Sequence, residues 1–356
     1  MILPHDRRTG VTFLKEEISM KDYDVFHAGD VVLQNGSVLT EATVAYATYG
    51  KLNKARDNVI VYPTFFCGNH ADNEWLIGED RALDPRRYFI VVPNLVGNGF
   101  SASPSNSVAS PGPRFPFVSI YDNVTLQHRL LTEKFEARRV ALAVGWSMGA
   151  QQAFQWGALY PDYVERIAPF CGSARTSRHN FVFLEGVKAA LRADQTFEGG
   201  AYRRSPIEGL KAVGRVYAGW GFSQAFYRSE CDLKELGFPN LESFIVGFWE
   251  ALFTRMDAND LLSMLATWQA ADISANATYA GDFARALRGV KARAVVMPCT
   301  TDLYFPPEDS AIEVGLMPNA ELKVIPSIWG HSAGALGLNK TDAAFIDRAI
   351  TGLLAE

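Results

Sequence analysis

Five short runs of consecutive apolar residues punctuate the chain: NVIVYPT (58–64), YFIVVPN (88–94), RRVALAVG (138–145), RIAPFCG (166–172) and ARAVVMPC (292–299). None alternates with polar residues. Runs of this length predict strands buried on both faces, as in a parallel sheet. Residues 38–49 alternate in part and predict a half-buried antiparallel strand. The stretches 120–135 and 147–160 carry apolar residues at helical spacing. LKVIPS (322–327) reads as the last strand and 341–356 as a closing helix. Strands alternating with helices give an α/β class with a mostly parallel sheet covered on both faces.

The alternation breaks between 175 and 288, where helix formers and large aromatics dominate. That stretch is too long for a loop and reads as an inserted helical lid. The expected division is a catalytic unit of 1–174 and 289–356, interrupted by a lid of 175–288.

Composition narrows the function. The chain has 356 residues, 34 basic against 39 acidic, for a net charge of −5. With its basic residues scattered, nucleic acid is not an expected partner. Hydrophobic residues at 48% supply a large core. No apolar run approaches the roughly 20 residues that span a bilayer. The opening MILPHDRRTG turns charged too soon for a secretory signal, so a cytoplasmic location is expected. Cys67, Cys171, Cys231 and Cys299 form no metal-ligand spacing and read as reduced thiols, mostly buried.

Gly145-Trp146-Ser147-Met148-Gly149 matches GxSxG. The pattern alone is weak, but an apolar strand runs into it and an amphipathic helix follows. That is the setting of a nucleophile elbow. The turn must be tight, and Gly145 and Gly149 keep it slim. Ser147 is the candidate nucleophile, placed at a helix N-terminus that favours developing negative charge.

A serine hydroxyl needs a base, and in this setting the partners follow in the order Ser, acid, His. Of six histidines, only His331 follows a late strand, in the loop SIWGHSAGA. Asp302 follows the apolar run 292–299 and is the candidate acid that orients His331. Asp309 falls inside the next predicted helix, which Pro306 and Pro307 open. The tetrahedral oxyanion needs two donors. One is the backbone N–H of Met148. The other comes from the loop 63–72, from Phe65 or Phe66, with Phe65 preferred.

These motifs carry a resemblance. VAYATYGKLN (44–53), the elbow GWSMGAQQAFQW (145–156), SARTSRHN (173–180), RMDANDLLSMLATW (255–268), TDLYFPPEDS (301–310) and the histidine loop are similar to the homoserine O-acetyltransferase family of the α/β-hydrolase fold. The similarity runs from about 30 to 335. It implies an α/β-hydrolase fold and a homodimer built on lid helices. It also implies ping-pong transfer of an acyl group from acetyl-CoA, through the serine, to a hydroxyl. No bound metal or prosthetic group is implied. Family members that use homoserine carry an aspartate after the catalytic histidine, where this chain has Ser332. They pair a lid arginine, matched by Arg215, with a tyrosine, where this chain has Phe222. Arg215, Phe222 and Ser332 are therefore the candidate substrate contacts. An ammonium buried without a partner is costly, so homoserine is not the expected acceptor. Water as acceptor, making the protein an ester hydrolase, is the alternative. Arg175, Arg178 and His179 are candidates for the cavity mouth or for lid surface charge. Trp220, Trp249 and Trp268 are candidates for lining a pocket or packing the lid, with packing preferred.

Overall fold

All five apolar runs become strands of one sheet in the computed structural model, which describes residues 22–355. The expected start of the catalytic unit at residue 1 and the reading of the opening segment lie outside the described residues. The strands are β1 (Asp24–Val32), β2 (Val38–Tyr49), β3 (Val59–Val61), β4 (Phe89–Pro93), β5 (Val140–Trp146) and β6 (Arg166–Phe170). A short hairpin, β7 (Phe197–Glu198) and β8 (Ala201–Tyr202), stands apart, and β9 (Arg293–Val296) and β10 (Ala320–Leu322) complete the set. Among the described residues the large sheet has eight strands, in the order β1-β2-β4-β3-β5-β6-β9-β10. β1 pairs antiparallel with β2, and β2 antiparallel with β4. Every other pairing is parallel. β3 and β4 are buried at every position, which is why their sequences run apolar without alternation.

Two expectations shift. The last strand forms at Ala320–Leu322 rather than 322–327, although Ile325 still bridges to Cys299. The helix after the elbow, α2 (Met148–Leu159), is not amphipathic in its setting. Every side chain from Met148 to Ala158 is buried. Two of its glutamines bond inside the protein instead of facing water. Gln152 Nε2 donates to the Thr64 carbonyl at 2.9 Å, and Gln151 Nε2 to Thr176 Oγ1 at 3.0 Å. α1 (Ile120–Arg129) packs against α2 and runs on as a π turn over Leu130–Lys134.

Between β6 and β9 the chain is mainly helical. α3 (Arg178–Arg192) and α4 (Ile207–Gly221) pack on each other, and the helix Ala258–Gln269 packs on α3. These helices cover the ends of β5 and β9, from which the site is built. Among the described residues, no helix is long and apolar enough to cross a membrane.

Candidate active site

Ser147 occupies the turn between β5 and α2 with φ 57° and ψ −123°, a conformation side chains rarely adopt. Glycines make the turn possible. A Cβ on Gly145 would lie 2.2 Å from the Gly149 carbonyl carbon, and one on Gly149 would lie 2.8 Å from the Pro63 carbonyl oxygen. A third glycine, missed in the sequence, closes the other side. A Cβ on Gly172, just past β6, would sit 2.4 Å from Ala150 Cβ. Strand pairing then holds the turn, with Ser147 N–H donating to the Phe170 carbonyl at 3.2 Å.

The structure brings the three predicted residues into line. Ser147 Oγ lies 2.9 Å from His331 Nε2, and His331 Nδ1 lies 2.8 Å from Asp302 Oδ2. Asp302 Oδ1 accepts from the Tyr304 and Phe305 amides at 3.0 and 3.1 Å. Those two bonds fix the carboxylate plane. A carboxylate only accepts, so the neutral imidazole carries its proton on Nδ1, and Nε2 is free to accept from Ser147 Oγ–H. The ring is walled by aromatics. Trp146 stacks on it at 4.9 Å, and Tyr304 lies at 4.3 Å.

The residues that close α4 hold the histidine segment, which forms a tight turn over Gly330–Gly334. Ser332 Oγ donates to the Gly221 carbonyl at 3.0 Å, and Ser223 Oγ donates to the Ile328 carbonyl. Trp146 Nε1 donates to the His331 carbonyl at 3.2 Å. A Cβ on Gly330 would meet Ser223 N at 2.9 Å, so the two segments are in direct contact.

Met148 opens α2, and its amide takes no part in a backbone hydrogen bond among the described residues. The same holds for the amides of Phe65 and Phe66. Their loop is anchored at Thr64, whose N–H donates to the Pro93 carbonyl at 3.1 Å and whose Oγ1 accepts from Leu95 N at 2.9 Å. The Phe65 ring packs edge-on against Trp146 at 4.4 Å.

Above Ser147 lies a cavity of about 110 Å³. Its walls include Phe65, Phe66, Phe253, Leu252, Trp249 and Trp268. Trp249 and Trp268 thus shape the site as well as packing the lid. Trp220 does not line it but packs on Phe183 at 4.6 Å. Arg215 is not a wall residue. Its guanidinium pairs with Glu242 at 2.6 Å and Glu250 at 2.7 Å. The cause is helical phase: the preceding Gly214 faces the Trp249 backbone, which turns Arg215 outward. Phe222 is fully buried away from the cavity, stacked on Phe226 at 4.0 Å and edge-on to Trp329. Ser332 does line the cavity, but its hydroxyl is committed to Gly221. Arg175 lies over the Phe283 ring at 4.0 Å and pairs loosely with Asp272, and His179 lies beside Trp220.

Cys67 lines the cavity, with Cys171 and Cys299 buried nearby. Burial pushes all three thiols up, Cys299 to about 11, so they stay protonated and do not compete with Ser147. Among the described residues, no group of three His, Cys, Asp or Glu is placed to hold a metal.

Behind the site, Glu313 on the helix Pro307–Leu316 accepts from the Ala174 amide at 2.8 Å through one oxygen. The other oxygen has no partner, and burial pushes the carboxyl up to about 8. Below about pH 4.5 both folded and unfolded chains carry the proton. Between about 4.5 and 8 the unfolded chain releases it and the folded chain does not, so stability falls as pH rises. Glu313→Gln keeps the acceptor and removes the titration. Relative to wild type, its stability should rise by on the order of 2–3 kcal/mol between pH 4.5 and 7, read by urea unfolding.

A serine in a strained strand-to-helix turn, with a histidine and an aspartate in line, is the arrangement of the α/β hydrolases. The chain belongs to the alpha/beta hydrolase fold family, which matches residues 59–336. It is an enzyme of acyl transfer, with relatives of two kinds. It is 40% identical to an ethyl acetate hydrolase of Pseudomonas veronii over 330 residues, 92% of this chain and 93% of that one. The solved structure of an acetylester hydrolase from Corynebacterium glutamicum superposes with a TM-score of 0.90 at 37% identity, covering 94% of this chain and 96% of that one. A homoserine O-acetyltransferase of Trichormus variabilis is 30% identical over 316 residues, 85% of this chain and 86% of that one.

Proposed function

We propose that the protein is a carboxylic-ester hydrolase acting on small acetate esters, with Ser147 as nucleophile, His331 as base and acid, and Asp302 as the residue that orients His331. As Ser147 Oγ attacks the ester carbonyl, His331 Nε2 takes its proton. The Met148 and Phe65 amides receive the oxyanion. Collapse breaks the C–O bond, and His331 passes the proton to the leaving alcohol. Water then attacks the acyl-serine, giving one proton to His331, which returns it to Ser147 Oγ as the acid leaves. The cycle uses only side chains and amides of this chain.

The observation that carries this reading is the cavity itself. At about 110 Å³ and walled mainly by aromatic and aliphatic side chains, it suits a small ester. Neither family contact for an amino acid is in place, since Arg215 is paired outside the cavity and Ser332 Oγ donates to the Gly221 carbonyl. The homoserine acetyltransferase relatives favour a second reading, in which acetyl-CoA is the donor and a hydroxyl takes the place of water. The test is product analysis with two donor sets. Ethyl acetate alone should give acetate and ethanol, and acetyl-CoA with L-homoserine should give no O-acetylhomoserine. Transfer to homoserine faster than acetate release from ethyl acetate would reverse the assignment. The homodimer implied by the resemblance belongs to this proposal, supported by the exposed Phe181 and Val182 on α3.

A further inference from the structure

Three hydrogen-bonding groups in the cavity wall are unaccounted for by the hydrolytic cycle: Trp249 Nε1, which lies toward Tyr227, and the groups on Tyr217 and Trp268. Tyr217 on α4 and Trp268 on the helix Ala258–Gln269 line the same cavity as Ser147 and His331. Their exposures are 6% and 1%. Tyr217 Oη and Trp268 Nε1 have no hydrogen-bond partner. Buried polar groups are almost always paired, so each such group asks for an explanation. Phenylalanine rings pack against both. Phe66 stacks on Tyr217 at 5.8 Å and tilts toward Trp268 at 5.6 Å, and Phe253 lies 4.9 Å from Tyr217.

The chemistry of the pair defines what would satisfy it. An indole N–H only donates, and a phenol donates readily. The missing partner is therefore an acceptor, such as an ether or carbonyl oxygen. The reacting ester group does not supply it. Its carbonyl oxygen goes to the Met148 and Phe65 amides, and its alkoxy oxygen must face His331 to be protonated. We propose that Tyr217 and Trp268 form a donor subsite for a second, non-reacting oxygen of the substrate. The favoured class is then small esters that carry an additional ether or carbonyl oxygen, rather than plain alkyl esters. This rests on the ester-hydrolase reading and specifies its substrate.

The test compares butyl acetate with 2-methoxyethyl acetate, which differ by one CH2 replaced by oxygen. Wild type should favour the ether ester by about tenfold in kcat/KM, the size of one neutral hydrogen bond. Tyr217→Phe, which removes a single oxygen, should bring that ratio several-fold toward one, and Trp268→Phe should act in the same direction. Thermal midpoints check that each variant folds; if Trp268→Phe does not, Tyr217→Phe decides. The same two esters are titrated against the Ser147→Ala chain by tryptophan fluorescence, so that binding is read without turnover. A preference for the ether ester there, lost on adding Tyr217→Phe, would uphold the subsite even if wild type hydrolysed neither ester and the hydrolase reading failed. Equal binding and equal turnover of the two esters by the parent chains, or a ratio that Tyr217→Phe leaves unchanged, would overturn the proposal.

Discussion

Ser147→Ala is expected to lower kcat on acetate esters by about 10⁶-fold, the loss seen when a comparable serine is removed from an intact triad. The variant should fold. Alanine keeps a Cβ in the same turn, at φ 57°, and the glycines that admit the turn are untouched. Only Oγ is lost, with its 2.9 Å bond to His331 Nε2. What remains is positioning by the cavity and the oxyanion donors proposed at Met148 and Phe65, enough for a residual rate above that in water. Steady-state kinetics with a titrated active-site concentration reads this, together with a thermal midpoint close to wild type.

The second large effect is expected at Asp302, and its direction follows from the hydrogen bonds. Oδ1 accepts from two amides, Tyr304 and Phe305, while Oδ2 faces His331 Nδ1. In Asp302→Asn the amide oxygen must stay toward those two N–H groups, because its NH2 would oppose them. The NH2 then donates to His331 Nδ1, and the imidazole proton moves to Nε2. Nε2 becomes a donor toward Ser147 Oγ and no longer accepts the serine proton. A fall in kcat of about 10⁴-fold follows, with KM little changed. The side chain is isosteric and fully buried. A loss of tenfold or less in a folded Asp302→Asn protein would mean that His331 is not held by this bond.

The parts of this site legible in the sequence were those fixed by backbone punctuation. The strand into Gly145, the serine, and an acid and a histidine after later strands follow from local pattern and chain order. Long-range packing was less legible. Gly172 tightens the elbow from a different strand, and nothing local marks it. The burial of α2 on all sides depends on partners for its glutamines, such as the Thr64 carbonyl, which lie far off in sequence. Arg215 and Phe222 were assigned by their positions in a related family, and the phase of α4 with the ring cluster at its end places neither in the cavity. For Trp249 and Trp268 the sequence left two roles open, pocket lining and lid packing, with packing preferred. An aromatic at helical spacing looks the same whether it packs a lid or walls a cavity, and only the tertiary placement, which puts both at the cavity wall, separates the two.

The central claim is that Ser147 carries the acyl group, and one measurement addresses it directly. The chain is mixed with 4-nitrophenyl acetate, whose leaving group needs no proton, and quenched in acid within the first turnover. Intact-mass and peptide analysis then locate any acetyl group. The account predicts a burst of nitrophenolate near one per chain and a single acetyl on the peptide containing Ser147, both absent from Ser147→Ala. An acetyl on Cys67 or elsewhere, or an undiminished burst from Ser147→Ala, would contradict it.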